Sequence, residues 1–204
     1  MPFCRPRHSA WLIWYVQELS VGRSQRNDTC LSYENPFTIS VFTVIALCGP
    51  AHAQGLSAPE KAFVEKAAKG NLAEVELGKV ASQKSNNAQV KAFGQQMITD
   101  HSKANDSLKP IADSAHVPWP TQLTGESKTL YDRLSKLSGS QFDKLYVPTM
   151  AQDHQKDAAE YRTESTKVKD SQLKTYITQT LPVVEQHLNH IKQIQPSVGG
   201  SAKQ

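Results

Sequence analysis

Beyond Cys48 the chain has no cysteine; the three in its 204 residues are Cys4, Cys30 and Cys48. No disulfide framework can therefore staple the part that folds, and the lack of thiolates there argues against iron–sulfur clusters and soft copper(I) sites. A long hydrophobic run is missing as well. The best stretch, Pro36 to Gly49, covers 14 residues, whereas a bilayer span needs about 20. Nor is there an excess of one charge. Residues 54 to 204 carry 19 Lys and Arg against 16 Asp and Glu, interspersed along helical faces, so nucleic acid finds no basic stripe to meet. There is no Ser-His-Asp or Cys-His arrangement, no phosphate-cradling glycine loop and no catalytic pair of carboxylates.

The apolar stretch ends in Pro50-Ala51-His52-Ala53-Gln54, which reads as a secretory h-region (36 to 49) followed by an Ala-x-Ala cleavage site after Ala53. Residues 1 to 53 are thus expected to be an export leader, and the protein periplasmic or secreted. The segment before residue 36 is long for a basic n-region. A start near Val21 would leave Arg23 and Arg26 in that role; an uncleaved anchor is the alternative. Leu47 is too large before Cys48 for a lipoprotein processing site.

The remaining 150 residues or so suit a single domain. Ser57-Ala58-Pro59-Glu60 carries a capping serine, an early proline and a glutamate three residues on, a helix-start signature. A helix is predicted from Pro59 to about Lys84, with Phe63, Ala67, Gly70, Glu74, Leu77 and Ala81 on one seam. Ser85-Asn86-Asn87 breaks the pattern. A second stripe follows through Val90, Gly94, Met97, His101, Ala104, Leu108 and Ile111, with Pro110 expected to loosen its end. After a Pro-rich linker at 116 to 120 come a short helix from Gly125 to about Leu137 and a break at Gly139. The next stripe is Val147, Met150, His154, Ala158, Tyr161, Ser165 and Val168. The last helix, about Ser171 to Gln195, places Leu173, Ile177, Thr180, Val184, His187, Ile191 and Ile194 on one face, with a kink or local widening expected at Pro182. Residues 197 to 204 read as a disordered tail. The expected fold is all-α: an antiparallel four-helix bundle with an additional short helix.

Four titratable residues interrupt these apolar stripes, one on each long helix: Glu74, His101, His154 and His187. At about 1.5 Å of rise per residue, the two partners of each hairpin lie within about one turn of the same height. Two of the histidines sit in a repeated M-x-x-D-H-x-K motif, Met97 to Lys103 and Met150 to Lys156, as expected if a helix pair were duplicated about a central site. Burying a carboxylate and three imidazoles costs several kcal/mol unless they are paired or bound to a metal. Imidazole and carboxylate donors suit zinc, iron, copper, nickel or manganese. The competing reading is a hydrogen-bonded Glu and His layer that fixes helix register without metal. Asp100, Asp153 and Glu185 adjoin the histidines in sequence but are expected to face solvent or pair with Lys103 and Lys156. His190, one turn from His187, is a lesser candidate; His52 and His116 fall in the leader and linker. Tyr146, Tyr161 and the two motif methionines have core spacing. Residues three before the histidines are Ile98, Ala151 and Val184, not the glutamates that a ferritin-type diiron centre requires.

The runs Phe63 to Gly70, Leu72 to Lys79 and Val90 to Met97, with Asp100 to Asn105, Asp153-His154, Leu181-Pro182 and His187-Leu188, closely resemble the bacterial exported family called domain of unknown function 4142. The resemblance covers about Ala58 to Gln195. It implies a ferritin-like helical bundle, export across the inner membrane and a place in the periplasm or at the outer membrane, and it supplies no activity. Three functions are open at this stage: a metal-binding bundle for storage, sensing or stress protection; an interaction module that binds an envelope component or itself; and a metal-dependent redox or hydrolytic enzyme.

Overall fold

A computed structural model describes residues 55 to 199; the expected leader and residues 200 to 204 of the expected tail lie outside the described residues. Five helices and no strand are found among the described residues: α1 (Ala58–Lys84), α2 (Ala88–Ser114), α3 (Gly125–Ser135), α4 (Gly139–Lys167) and α5 (Ser171–Gly199). The fold is an all-α bundle. Three-residue turns join α1 to α2 and α4 to α5, so each pair is an antiparallel hairpin. The hairpins pack through α2 on α5 and α1 on α4, and α3 lies across α1 and α4. No helix among the described residues is long and apolar enough to cross a membrane.

Local chemistry sets the helix boundaries. The Glu60 carboxylate accepts both the backbone N–H (2.8 Å) and the hydroxyl (2.7 Å) of Ser57 through Oε2. Its Oε1 reaches across to accept the N–H groups of Lys169 at 2.8 Å and Asp170 at 3.2 Å. One side chain therefore caps α1 and ties it to the turn between α4 and α5. Asn87 Oδ1 caps α2 at the N–H groups of Gln89 and Val90, and Asp170 Oδ1 caps α5 at that of Leu173, each satisfying donors that a helix start leaves orphaned.

The boundaries differ from expectation mainly at the C-terminal ends of α2 and α5. α2 continues through Pro110 to Ser114; α5 continues through Pro182, as the resumed apolar period led one to expect, and also past Pro196 to Gly199. Each proline removes one N–H, but the apolar face on both sides of it is buried, and packing outweighs the lost bond. The stretch 197 to 199 is accordingly helix rather than tail. α1 and α2 come unusually close: a Cβ on Gly78 would lie 2.6 Å from the Gly94 carbonyl oxygen, and one on Gly94 2.8 Å from that of Gly78. Only glycine fits at both positions.

The core is split in two. One apolar cluster joins Phe63, Val64, Leu108, Ile111, Tyr161, Leu173 and Ile177 at one end of the bundle. Another joins Leu77, Phe93, Met97, Tyr146, Met150, Ile191 and Ile194 at the opposite end. Between them lies a buried polar layer.

Candidate metal centre

The polar layer contains all four residues singled out from the sequence. Glu74 is 5% exposed, His101 5%, and His154 and His187 are fully buried. The rings of His101, His154 and His187 form a triangle with centroid separations of 5.8, 5.3 and 5.5 Å. One ring nitrogen from each lies within 4.8 Å of the other two, an arrangement that could hold a metal ion. Phe93, itself fully buried, closes one side with its ring against His154 and His187.

Each imidazole is oriented by an oxygen acceptor on one of its nitrogens. His101 Nδ1 donates to Asn71 Oδ1 at 2.9 Å, His154 Nδ1 to the Met150 carbonyl at 3.0 Å, and His187 Nε2 to Asp100 Oδ2 at 2.8 Å. A neutral imidazole has one N–H, so these bonds leave a bare lone pair on the remaining nitrogen. Those nitrogens, His101 Nε2, His154 Nε2 and His187 Nδ1, have no hydrogen-bond partner, and neither does Glu74 Oε2. Three lone pairs are thus buried and close together, each set by a partner behind it, as metal-ligating histidines typically are.

Burial keeps the rings neutral. It pushes His101 well below its ordinary pKa, with His154 and His187 adding to the effect. His154 is lowered by burial against opposing pulls from Asp157, the Met150 carbonyl and Asp153. His187 falls to about 4, again through burial, despite its bond to Asp100. The carboxyl of Glu74 moves the other way, raised to about 8 by burial and then by the charge of Asp153. Asp157 is also raised, by burial first and Glu74 second.

Glu74 stands beside the histidine triangle and is not one of its three mutually close ligand atoms: Oε1 lies 4.0 Å from His154 Nδ1, the nitrogen that faces Met150. Asp100 departs from expectation. It is expected at solvent or on Lys103, but its carboxylate crosses to α5 and accepts the His187 N–H. Asp153 does pair with Lys156, at 3.5 Å, and Glu185 pairs with Arg162. His190 donates to Gln96 and is not in the triangle. Two residues were missed. Asn71, which holds His101, lies three positions before Glu74 on the same face, a spacing that could have revealed it. Asp157, half-buried near Glu74 and His154, lies three positions after His154 and four before Tyr161, so the same spacing could have revealed it.

Fold and site together define a class: a helical bundle whose waist carries a buried cluster of neutral histidines. The chain belongs to the family described as Domain of unknown function (DUF4142), which matches residues 47–194. No curated protein and no solved structure matches it significantly.

Proposed function

We propose that this protein binds one divalent transition-metal ion at His101, His154 and His187, with Glu74 as the nearby carboxylate that balances its charge. The observation carrying this reading is the set of three unpartnered imidazole nitrogens, each with its opposite nitrogen anchored. An unsatisfied buried polar group costs about 1–3 kcal/mol. Four of them, counting Glu74 Oε2, approach the whole net stability of a domain, about 5–15 kcal/mol. A cation converts that cost into binding energy.

Three neutral nitrogens and a carboxylate suit zinc, iron, copper, nickel or manganese. Because the ligands alone carry no charge, a bound dication favours the ionised form of Glu74, so uptake near neutral pH releases a proton. One ion per chain fits sensing or protective sequestration better than bulk storage. Export to the periplasm would place the site where envelope metals are met, and the leader-like segment before Gln54 supports that location. The metal-free interaction module is the reading to beat. Elemental analysis of the untagged protein, with the triple His101→Ala, His154→Ala, His187→Ala variant beside it, tests the proposal. About one ion per chain is expected, lost in the folded variant. No metal after incubation with each of the five ions would overturn it and leave the polar layer as a device for helix register.

A further inference from the structure

Gly70 was expected on the buried seam of α1, yet it is exposed, and a Cβ placed on it would meet nothing within 4 Å. It forms the shared rim of two cavities between α1 and α4, beneath the start of α3 at Ser127. One, of about 220 Å³, reaches inward to Asn71 and His101. The other, of about 420 Å³, reaches Glu74. Asp157 lines both. At about 30 Å³ per water, even the smaller has room for an ion with most of its hydration shell.

The acidic groups along these walls are not equivalent. Glu160 is paired with Lys66, and Asp153 with Lys156. Among the described residues Asp157, Glu74 and the exposed Glu126 at the outer edge of the larger cavity have no lysine or arginine partner, and of these only Asp157 lines both cavities. At the inner ends stand two unpartnered atoms on side chains that are 95% buried, Glu74 Oε2 and His101 Nε2.

Resting on the metal reading above, we propose that this α1–α4 groove is the route by which a hydrated divalent cation reaches the histidine cluster, with Asp157 as its docking carboxylate and Glu74 at the inner threshold. The groove is open because Gly70 has no side chain and, of the two pairings that join the hairpins, α1–α4 is slighter than α2–α5. Asp157 attracts the cation electrostatically and replaces part of its water, and Glu74 receives it where the walls become apolar. The rival route lies on the α2–α5 side, where a separate cavity runs past Asp100 and Ser107.

The test is stopped-flow loading of the chelator-stripped full chain with cobalt(II), followed by its visible absorption, and chelator-driven release. Gly70→Leu fills the groove at a position where the side chain has space, so the helix is retained. Loading and release should both slow about tenfold or more, with stoichiometry and the final spectrum unchanged. Asp157→Asn should slow loading at least about threefold and flatten its dependence on salt. Ser107→Leu, on the rival side, should leave both rates alone. Wild-type rates in Gly70→Leu and Asp157→Asn, or slowing by Ser107→Leu instead, would overturn the route while leaving the metal site standing. Failure of the unaltered chain to take up cobalt or zinc at equilibrium would remove the metal reading, and the route with it. Should Gly70→Leu not fold, as judged by circular dichroism, Asp157→Asn decides.

Discussion

Glu60 and Glu74 lie on the same helix and are shielded from solvent to nearly the same degree, 8% and 5% exposed, yet they respond to burial in opposite ways. Burial alone would raise the pKa of either. At Glu60 the bonds from Ser57, Lys169 and Asp170 outweigh it and hold the carboxyl down at about 2. At Glu74 nothing does, and the group rises to about 8. The difference lies in where the side chains point. Glu60 meets two helix termini, whose N–H groups need acceptors. Glu74 meets the middle of four helices, where every backbone donor is already used and only imidazole lone pairs remain. A carboxylate at helix ends is structural cement; one in the waist asks for a ligand.

The sharpest way to break this contrast is at the waist. His154→Ala should abolish stoichiometric metal binding, measured by elemental analysis, whereas Glu60→Gln should leave one ion per chain bound. Next in size, Asp100→Asn replaces the acceptor that orients His187 and should weaken metal affinity by about 10- to 100-fold in a competition titration. Glu60→Gln should lower stability by about 2–4 kcal/mol in urea denaturation, since charge-assisted bonds at two helix ends are lost together.

Stability against pH sharpens the same contrast in the metal-free protein. Glu60, with its folded pKa lowered, contributes stability that is fully present above the unfolded value of 4.5 and is lost as pH falls towards about 2. Glu74, with its folded pKa raised, does the reverse. The unfolded chain releases the proton above 4.5 while the folded chain keeps it, so stability declines as pH rises from 4.5 to about 8. In Glu74→Gln that decline, on the order of a few kcal/mol, should shrink, leaving the contribution of Asp157, itself raised to about 7. Chemical denaturation between pH 6.5 and 8 reads it as the difference between wild type and Glu74→Gln, because the unfolded-state histidines and Asp157 contribute to the slope of both chains. An unchanged slope would show that Glu74 does not retain its proton.

Much of the fold is legible in the sequence. Periods of three and four placed the five helices, Ser57 and Asn87 marked two starts, and the interruptions of the stripes picked out Glu74, His101, His154 and His187. The repeated motif is instructive because its two copies do different things. His101 is held by Asn71 and His154 by its own helix carbonyl, while Asp100 crosses to α5 and Asp153 stays with Lys156. Identical local sequence meets different neighbours, and no pattern within one helix reveals which helix faces it. Gly70 makes the same point from the opposite side: its spacing marks it as buried, but α4 stands away from it.

What the sequence alone determined, therefore, is which residues leave water: the all-α class, the hairpin turns and the four polar residues of the waist follow from periodicity and capping, which act over a few residues. Tertiary structure decided which atoms meet. The histidine tautomers, the exclusion of Glu74 from the tight triangle, the reach of Asp100 and the groove at Gly70 all depend on how the two hairpins pack. Interhelical distances are set by the summed volumes of side chains far apart in the chain, and those cannot be read from any one segment.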